Sequence, residues 1–129
     1  MLNFSSLLLF SEKPEDLAEF YKKILISDPV WDGGGYYGFM IGKSMLIIGP
    51  HDKVAGKNKN PERMMFNLEI DDVQKEFRRI KKLGAKVIQE PYNPDESSEM
   101  TIATFADPDD NYFQLTTPVV IELSSSQLN

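Results

Sequence analysis

Cysteine is absent from the 129 residues, and histidine and tryptophan occur once each, as His51 and Trp31. Without thiols the chain has no disulfide, no thiolate metal site and no cysteine nucleophile. Long apolar runs are missing too. The run Leu7-Leu8-Leu9-Phe10 falls far short of the ~20 residues that a membrane helix needs. It follows no basic stretch and gives way at once to Ser11-Glu12-Lys13-Pro14, so neither a membrane span nor a secretory leader is expected. Basic residues are outnumbered: Lys plus Arg is 14 and Asp plus Glu is 20, a formal charge of −6. Phosphate neutralisation requires clustered Lys and Arg, which argues against nucleic acid as the main partner. The acidic balance suits a cationic ligand and suits plain solubility equally. These absences point to a cytoplasmic protein. The remaining composition, 41% hydrophobic and 26% charged, is that of a globular chain, and the length predicts one domain spanning 1–129.

Apolar Phe4 to Phe10 reads as a buried strand. Pro14 suits the first turn of a helix, and Leu17, Phe20, Tyr21, Ile24 and Leu25 form an apolar stripe behind it. Asp28-Pro29 ends that helix, and short strands fit Val30-Trp31, Tyr36 to Ile41 and Met45 to Ile48, with Gly42-Lys43 as a tight turn. The order then recurs. Met64 to Ile70 reads as a strand, Asp71 and Gln74 as a capping box, Val73, Phe77 and Ile80 as a helix face, and Gly84 as its end. Val87-Ile88 is a short strand, Pro91 to Ser98 a polar loop, and Met100 to Phe105 with Tyr112 to Thr116 a hairpin across Asp107-Pro108-Asp109-Asp110-Asn111. Asp109 and Asp110 serve as turn formers.

Strand–helix–strand–strand–strand thus appears twice, as module one (about 1–50) and module two (about 62–118), with a tail at 119–129. The helices register at an offset of 56, Leu17 with Val73 and Ile24 with Ile80; the closing strands register at 68, Leu46 with Gln114 and Pro50 with Pro118. The difference implies about twelve extra residues in module two, placed in the loop 91–98. Neither half is large enough to hold a core alone. The expected fold is α+β: two βαβββ modules forming a strongly curved mixed sheet, a half-barrel, around a cavity.

Three passages resemble the vicinal oxygen chelate superfamily of glyoxalases, bleomycin-resistance proteins, fosfomycin-resistance enzymes and extradiol dioxygenases. They are Phe20-Tyr21-Lys22-Lys23-Ile24-Leu25, Asn67-Leu68-Glu69-Ile70-Asp71-Asp72-Val73, and Phe105 to Leu115 with its DP-D-x-N turn. The likeness runs from Leu2 to Pro118, and the closing hairpin is its most specific part. It implies paired βαβββ modules around a cavity, and often a dimer or a fused pair of domains; for this chain a homodimer is expected. In metal-dependent members the ion is held by His on the first strand and Glu on the last strand of each module.

Carried over, those positions fall on Ser6 or Ser5, on Leu46 or a neighbour, on Met65 or Met64, and on Gln114. Ser, Leu and Met do not offer the imidazole and carboxylate donors a divalent ion prefers, and one Gln carbonyl does not hold it. No metal and no cofactor are therefore expected. Alternation on the module-two strand puts Met65, Asn67 and Glu69 on one face and Phe66, Leu68 and Ile70 on the helix side; on the closing strand Tyr112, Gln114 and Thr116 face the cavity. Trp31, Tyr36, Tyr37, Phe39 and Met40 cluster beside Gly33-Gly34-Gly35, as pocket lining for a planar guest or as core. Glu69 is a candidate base or cation partner, or an exposed strand-end residue; His51 is a candidate base or a solvated loop residue.

The expected function is metal-independent binding of a small, partly aromatic molecule for which a cationic group is compatible, as in bleomycin-resistance-type proteins. The ligand-contacting set is Trp31, Tyr36, Tyr37, Phe39, Met65, Asn67, Glu69, Tyr112 and Gln114. The alternative is a glyoxalase-like lyase, isomerase or dioxygenase, with unusual metal ligands or with Glu69 or His51 as general base.

Overall fold

A computed structural model describes residues 1–95, 99–118 and 126. Apart from Ser126, the sequence reading of 119–129 as a tail lies outside these residues. Module one runs β1 (Ser6–Phe10), α1 (Pro14–Leu25), β2 (Trp31–Gly33), β3 (Tyr36–Ile41) and β4 (Ser44–Gly49). Module two runs β5 (Phe66–Glu69), α2 (Val73–Lys82), β6 (Lys86–Tyr92), β7 (Ile102–Ala106) and β8 (Tyr112–Thr116). The strands form two four-stranded mixed sheets, ordered β1-β4-β3-β2 and β5-β8-β7-β6. The two are not joined into a closed barrel, so the α+β architecture is an open, curved half-barrel of two βαβββ units.

Helix α1 starts on Pro14, where a missing N–H costs nothing. It ends at Ile26, which holds φ 51°, ψ 51° while its N–H donates to the Lys22 carbonyl. Helix α2 is capped one residue later than the sequence suggested: Asp72, not Asp71, accepts the Lys75 N–H at 3.0 Å. Either aspartate can cap; Val73 must point into the core, and that sets the phase. Gly84, at φ 92°, lets the chain leave the helix. Strand β6 extends to Tyr92, beyond the two residues expected. Pro91 reads as a breaker, yet β6 is an edge strand with register shifts after Val87 and Gln89, where proline is tolerated.

The core lies between helices and sheets. Leu17, Tyr21 and Ile24 of α1 pack with Phe39, Leu46 and Ile48, and Val73, Phe77 and Ile80 of α2 with Ala103, Phe105, Phe113 and Leu115. The halves share this core through α1. The Phe20 and Tyr21 rings lie 6.1 and 5.8 Å from Phe113, and Tyr21 is 6.1 Å from Phe66. Arg79 of α2 donates back to the end of α1, at 2.6 Å to the Ile24 carbonyl, while its Nε pairs with Glu76.

Buried faces correct the internal register. Leu46 and Ile48 are core residues, as are Phe113 and Leu115, whereas Gln114 points the other way. The closing strands therefore match at an odd offset, 67, and the counterpart of Gln114 is Ile47 rather than Leu46. A one-residue slip exchanges the faces of a strand, so the earlier offset of 68 mixed them. The added residues of module two are shared between its hairpins. Gly34-Gly35 links β2 to β3 where 93–101 links β6 to β7, and Gly42-Lys43 links β3 to β4 where 107–111 links β7 to β8.

The Tyr21 hydroxyl donates to Asp107 Oδ2 at 2.7 Å, across 86 residues of sequence. Asp107 Oδ1 also accepts the Asp109 and Asn111 backbone N–H groups at 2.9 and 3.0 Å, and Asn111 Nδ2 bridges both oxygens. Burial raises the Asp107 carboxyl above its ordinary pKa, and the bonds from Tyr21 and Asn111 pull it partly back; burial and this neighbour lift the Tyr21 hydroxyl well above its own. Tyr21→Phe should lower the unfolding free energy by about 1.5–3 kcal/mol, the range for a hydrogen bond to a charged group, measured by urea titration. A native carboxyl titrating above its unfolded value binds the extra proton in the window between the two. Its contribution to stability therefore falls as pH rises through that window and is level above it. The wild-type stability minus that of Asp107→Asn, followed from acid to neutral pH, should show this decline.

Candidate functional site

Each sheet has one face under its helix and one free of helices. Pairings Leu8 with Ile47, Ile47 with Gly38 and Gly38 with Trp31 form one row of the helix-free face in module one. Ser6, Met45 and Met40 form the next row, and Phe10, Gly49 and Tyr36 the row on the other side. The face carries no charged side chain. Two glycines shape it. A Cβ on Gly38 would stand 2.5 Å from Trp31 Nε1 and 2.7 Å from the Met45 methyl, and one on Gly49 would overlap the Tyr36 ring. The rings of Trp31 and Tyr36 are thus seated against bare backbone, with Trp31 still 41% exposed.

The corresponding face of module two is polar. Asn67, Gln114, Thr104 and Gln89 form a row across β5, β8, β7 and β6, and Glu69, Thr116, Ile102 and Tyr92 form the next. Gln114 Nε2 donates to Thr104 Oγ1 at 3.0 Å, and the carbonyl oxygen of the same amide is an acceptor.

Of the residues singled out from the sequence, Trp31, Tyr36, Asn67, Glu69, Tyr112 and Gln114 lie on helix-free faces. Met65 precedes β5 and is exposed. Phe39 is corrected: it is fully buried in the core, and Tyr37 packs against that core from the same face of β3. Alternation decides this, because Gly38 faces Trp31 and its two neighbours must face the helix. Ile70, assigned to the helix side, sits past the end of β5 and is 37% exposed. His51 packs its ring edge-on to Phe10 at 5.1 Å, accepts the Lys53 N–H on Nδ1, and lies beside Asp52 in an exposed turn. That Nδ1 is engaged locally, far in character from a pocket base.

The positions that could face an ion are Ser6 and Leu8, Met45 and Ile47, Met65 and Asn67, and Gln114. This donor set does not fit a divalent ion: it has no imidazole, and Glu69, next along the same face of β5, would be a lone carboxylate. Among the described residues no three His, Cys, Asp or Glu side chains converge.

One concavity lies where the sequence reading did not centre it, although Asn67 and Glu69, both expected to face a cavity, line it. A cavity of about 600 Å³ opens at the seam between the modules, reaching from the β3–β4 turn past the end of α1 and along β5 from Phe66 to Ile70. Its floor is the shared core at Ile24, Leu46, Ile80 and Leu115. No local pattern announces it, since its walls come from six separate segments.

Two βαβββ units with an open polar-and-aromatic sheet face define the vicinal oxygen chelate architecture. Residues 7–116 match the glyoxalase-like domain family, and the chain belongs to that family within the superfamily. Solved structures share the fold. A glyoxalase/bleomycin resistance protein/dioxygenase family enzyme from Burkholderia phytofirmans superposes with a TM-score of 0.73 at 18% identity, over 92% of this chain and 100% of that one. The fosfomycin resistance protein FosX from Listeria monocytogenes gives 0.69 at 19% identity, over 95% and 96%. Lactoylglutathione lyase from Agrobacterium tumefaciens gives 0.69 at 16%, over 89% and 92%. No curated protein matches the sequence. Among the described residues no helix is long and apolar enough to cross a membrane.

Gly38→Ala should force the Trp31 indole off the sheet. The expected result is a red-shifted emission from this sole tryptophan, with a stability loss of about 1–3 kcal/mol.

Proposed function

We propose that the chain binds a small, partly aromatic molecule on its helix-free sheet faces without a metal ion. The observation that carries this reading is the presence of Ser6, Ile47, Met65 and Gln114 at the positions where the family's chelators would stand, beside a Trp31 ring seated on Gly38. A ring stacked on Trp31 or Tyr36 gains dispersion and quadrupole energy. The Asn67 amide and the Gln114 carbonyl supply a donor and acceptors for a polar edge. The two faces divide the work, apolar recognition by module one and hydrogen bonding by module two.

We take the working form to be a cytoplasmic homodimer. The cysteine-free sequence suits a reducing compartment, and exposed Val30, Met64 and Leu83 are apolar surface that a second copy would cover. Light scattering on the purified protein tests the stoichiometry.

Calorimetric titration with nickel, zinc and manganese should give no tight, site-stoichiometric uptake; such uptake would reverse the reading. Ligands found by thermal-shift screening should lose about tenfold in affinity, roughly 1.4 kcal/mol, on Trp31→Ala and on Gln114→Ala. Hits indifferent to both substitutions would place the site elsewhere.

A further inference from the structure

We propose that the cleft between the modules is a separate binding site for an amphipathic amine, whose apolar body rests on the shared core and whose ammonium group is held by Glu69 at the mouth. The cleft shares Asn67 and Glu69 with the edge of the module-two sheet face, but its floor is the core, so the proposal goes beyond the sheet-face reading and does not depend on the Trp31 and Gln114 contacts.

The cleft's volume, about 600 Å³, is within the range of small-molecule pockets. Its floor is wholly apolar, and apolar side chains continue out to the rim: Phe4 is 82% exposed, Ile26 73% and Ile70 37%. Apolar surface that is present both on the floor and at the rim is what an acyl or aryl body covers with gain. The lining charges then select the head group. Arg79 is consumed by Glu76 and by the Lys23 and Ile24 carbonyls, so that pair offers no net charge to a ligand. The side chain of Glu69, last residue of β5, makes no ion pair or hydrogen bond among the described residues and lines the cleft beside Leu68 and Ile70. The Lys23 and Ile24 carbonyls at the end of α1 are taken up by Arg79, so Glu69 is the group left on this wall to hold an ammonium. Lys43, on the exposed β3–β4 turn, is the competing charge, and an anionic probe would find it.

The test uses the full chain and three probes of equal length, n-octylamine, n-octanol and n-octanoate, in calorimetry. Saturable one-to-one binding of octylamine is expected, with octanol weaker and octanoate weakest. Glu69→Gln should weaken octylamine about fivefold and leave octanol unchanged, as for removal of one partner of a solvent-accessible pair. Ile41→Trp, which fills the cleft wall, should abolish binding of all three. Trp31 emission should stay constant through the titration. Octanoate binding as tightly as octylamine, an unaffected Glu69→Gln, or non-saturable uptake would each overturn the proposal. A shift in Trp31 emission would also overturn it, since the amine would then occupy the sheet face. Because Glu69 is exposed, its variant folds whatever becomes of Ile41→Trp. Failure of the sheet-face reading would show instead as screening hits blind to Trp31.

Discussion

The Asp107 carboxylate sits where three parts of the chain meet, and the arrangement of the halves depends on it. Its oxygens accept two backbone N–H groups of their own turn, the Asn111 amide, and the hydroxyl of Tyr21 from the helix of the other module. The long segment before β5 is drawn to the same turn, through Asn58 N–H to the Asp109 carbonyl and the Asn58 amide to Asn111. A carboxylate that is 3% exposed persists only because these donors replace the water it has lost. In return it fixes the hairpin that carries Gln114 and the helix that floors the seam. The DP-D-x-N signature is therefore an inter-module brace, and only incidentally a turn.

Much of this was legible from local pattern. Pro14, Gly84 and the apolar stripes of α1 and α2 place the helices within a residue or two, because periodicity and capping act over a few neighbours. Two matters were not legible. The first was the face assignment of β3 and β4, where Phe39 read as pocket lining and lies in the core. Both faces of these strands are apolar, so alternation has no contrast to display until a partner such as Trp31 over Gly38 breaks the tie. The second was the cleft. It is made by the meeting of two modules, and no window of sequence contains both of its walls.

The sheet faces show how one architecture supports different chemistry. Equivalent positions hold Leu8 and Ile47 in one module but Asn67 and Gln114 in the other. An ion held between such faces would need matched hard donors from both, and here one side is hydrocarbon. The family fold is kept by its core and its braces, which leaves the helix-free residues at liberty to differ.

Ile26 ends α1 in a left-handed conformation, at φ 51°. A β-branched side chain pays roughly 1–2 kcal/mol there relative to the glycine that usually fills such a position. Glycine would cap the helix more comfortably and would expose less hydrocarbon to water. Retaining isoleucine is thus a double disadvantage for the isolated molecule, one conformational and one hydration-based. A residue that opposes folding on both counts, at the lip of a greasy opening, is the kind of wall that the proposed amine would cover.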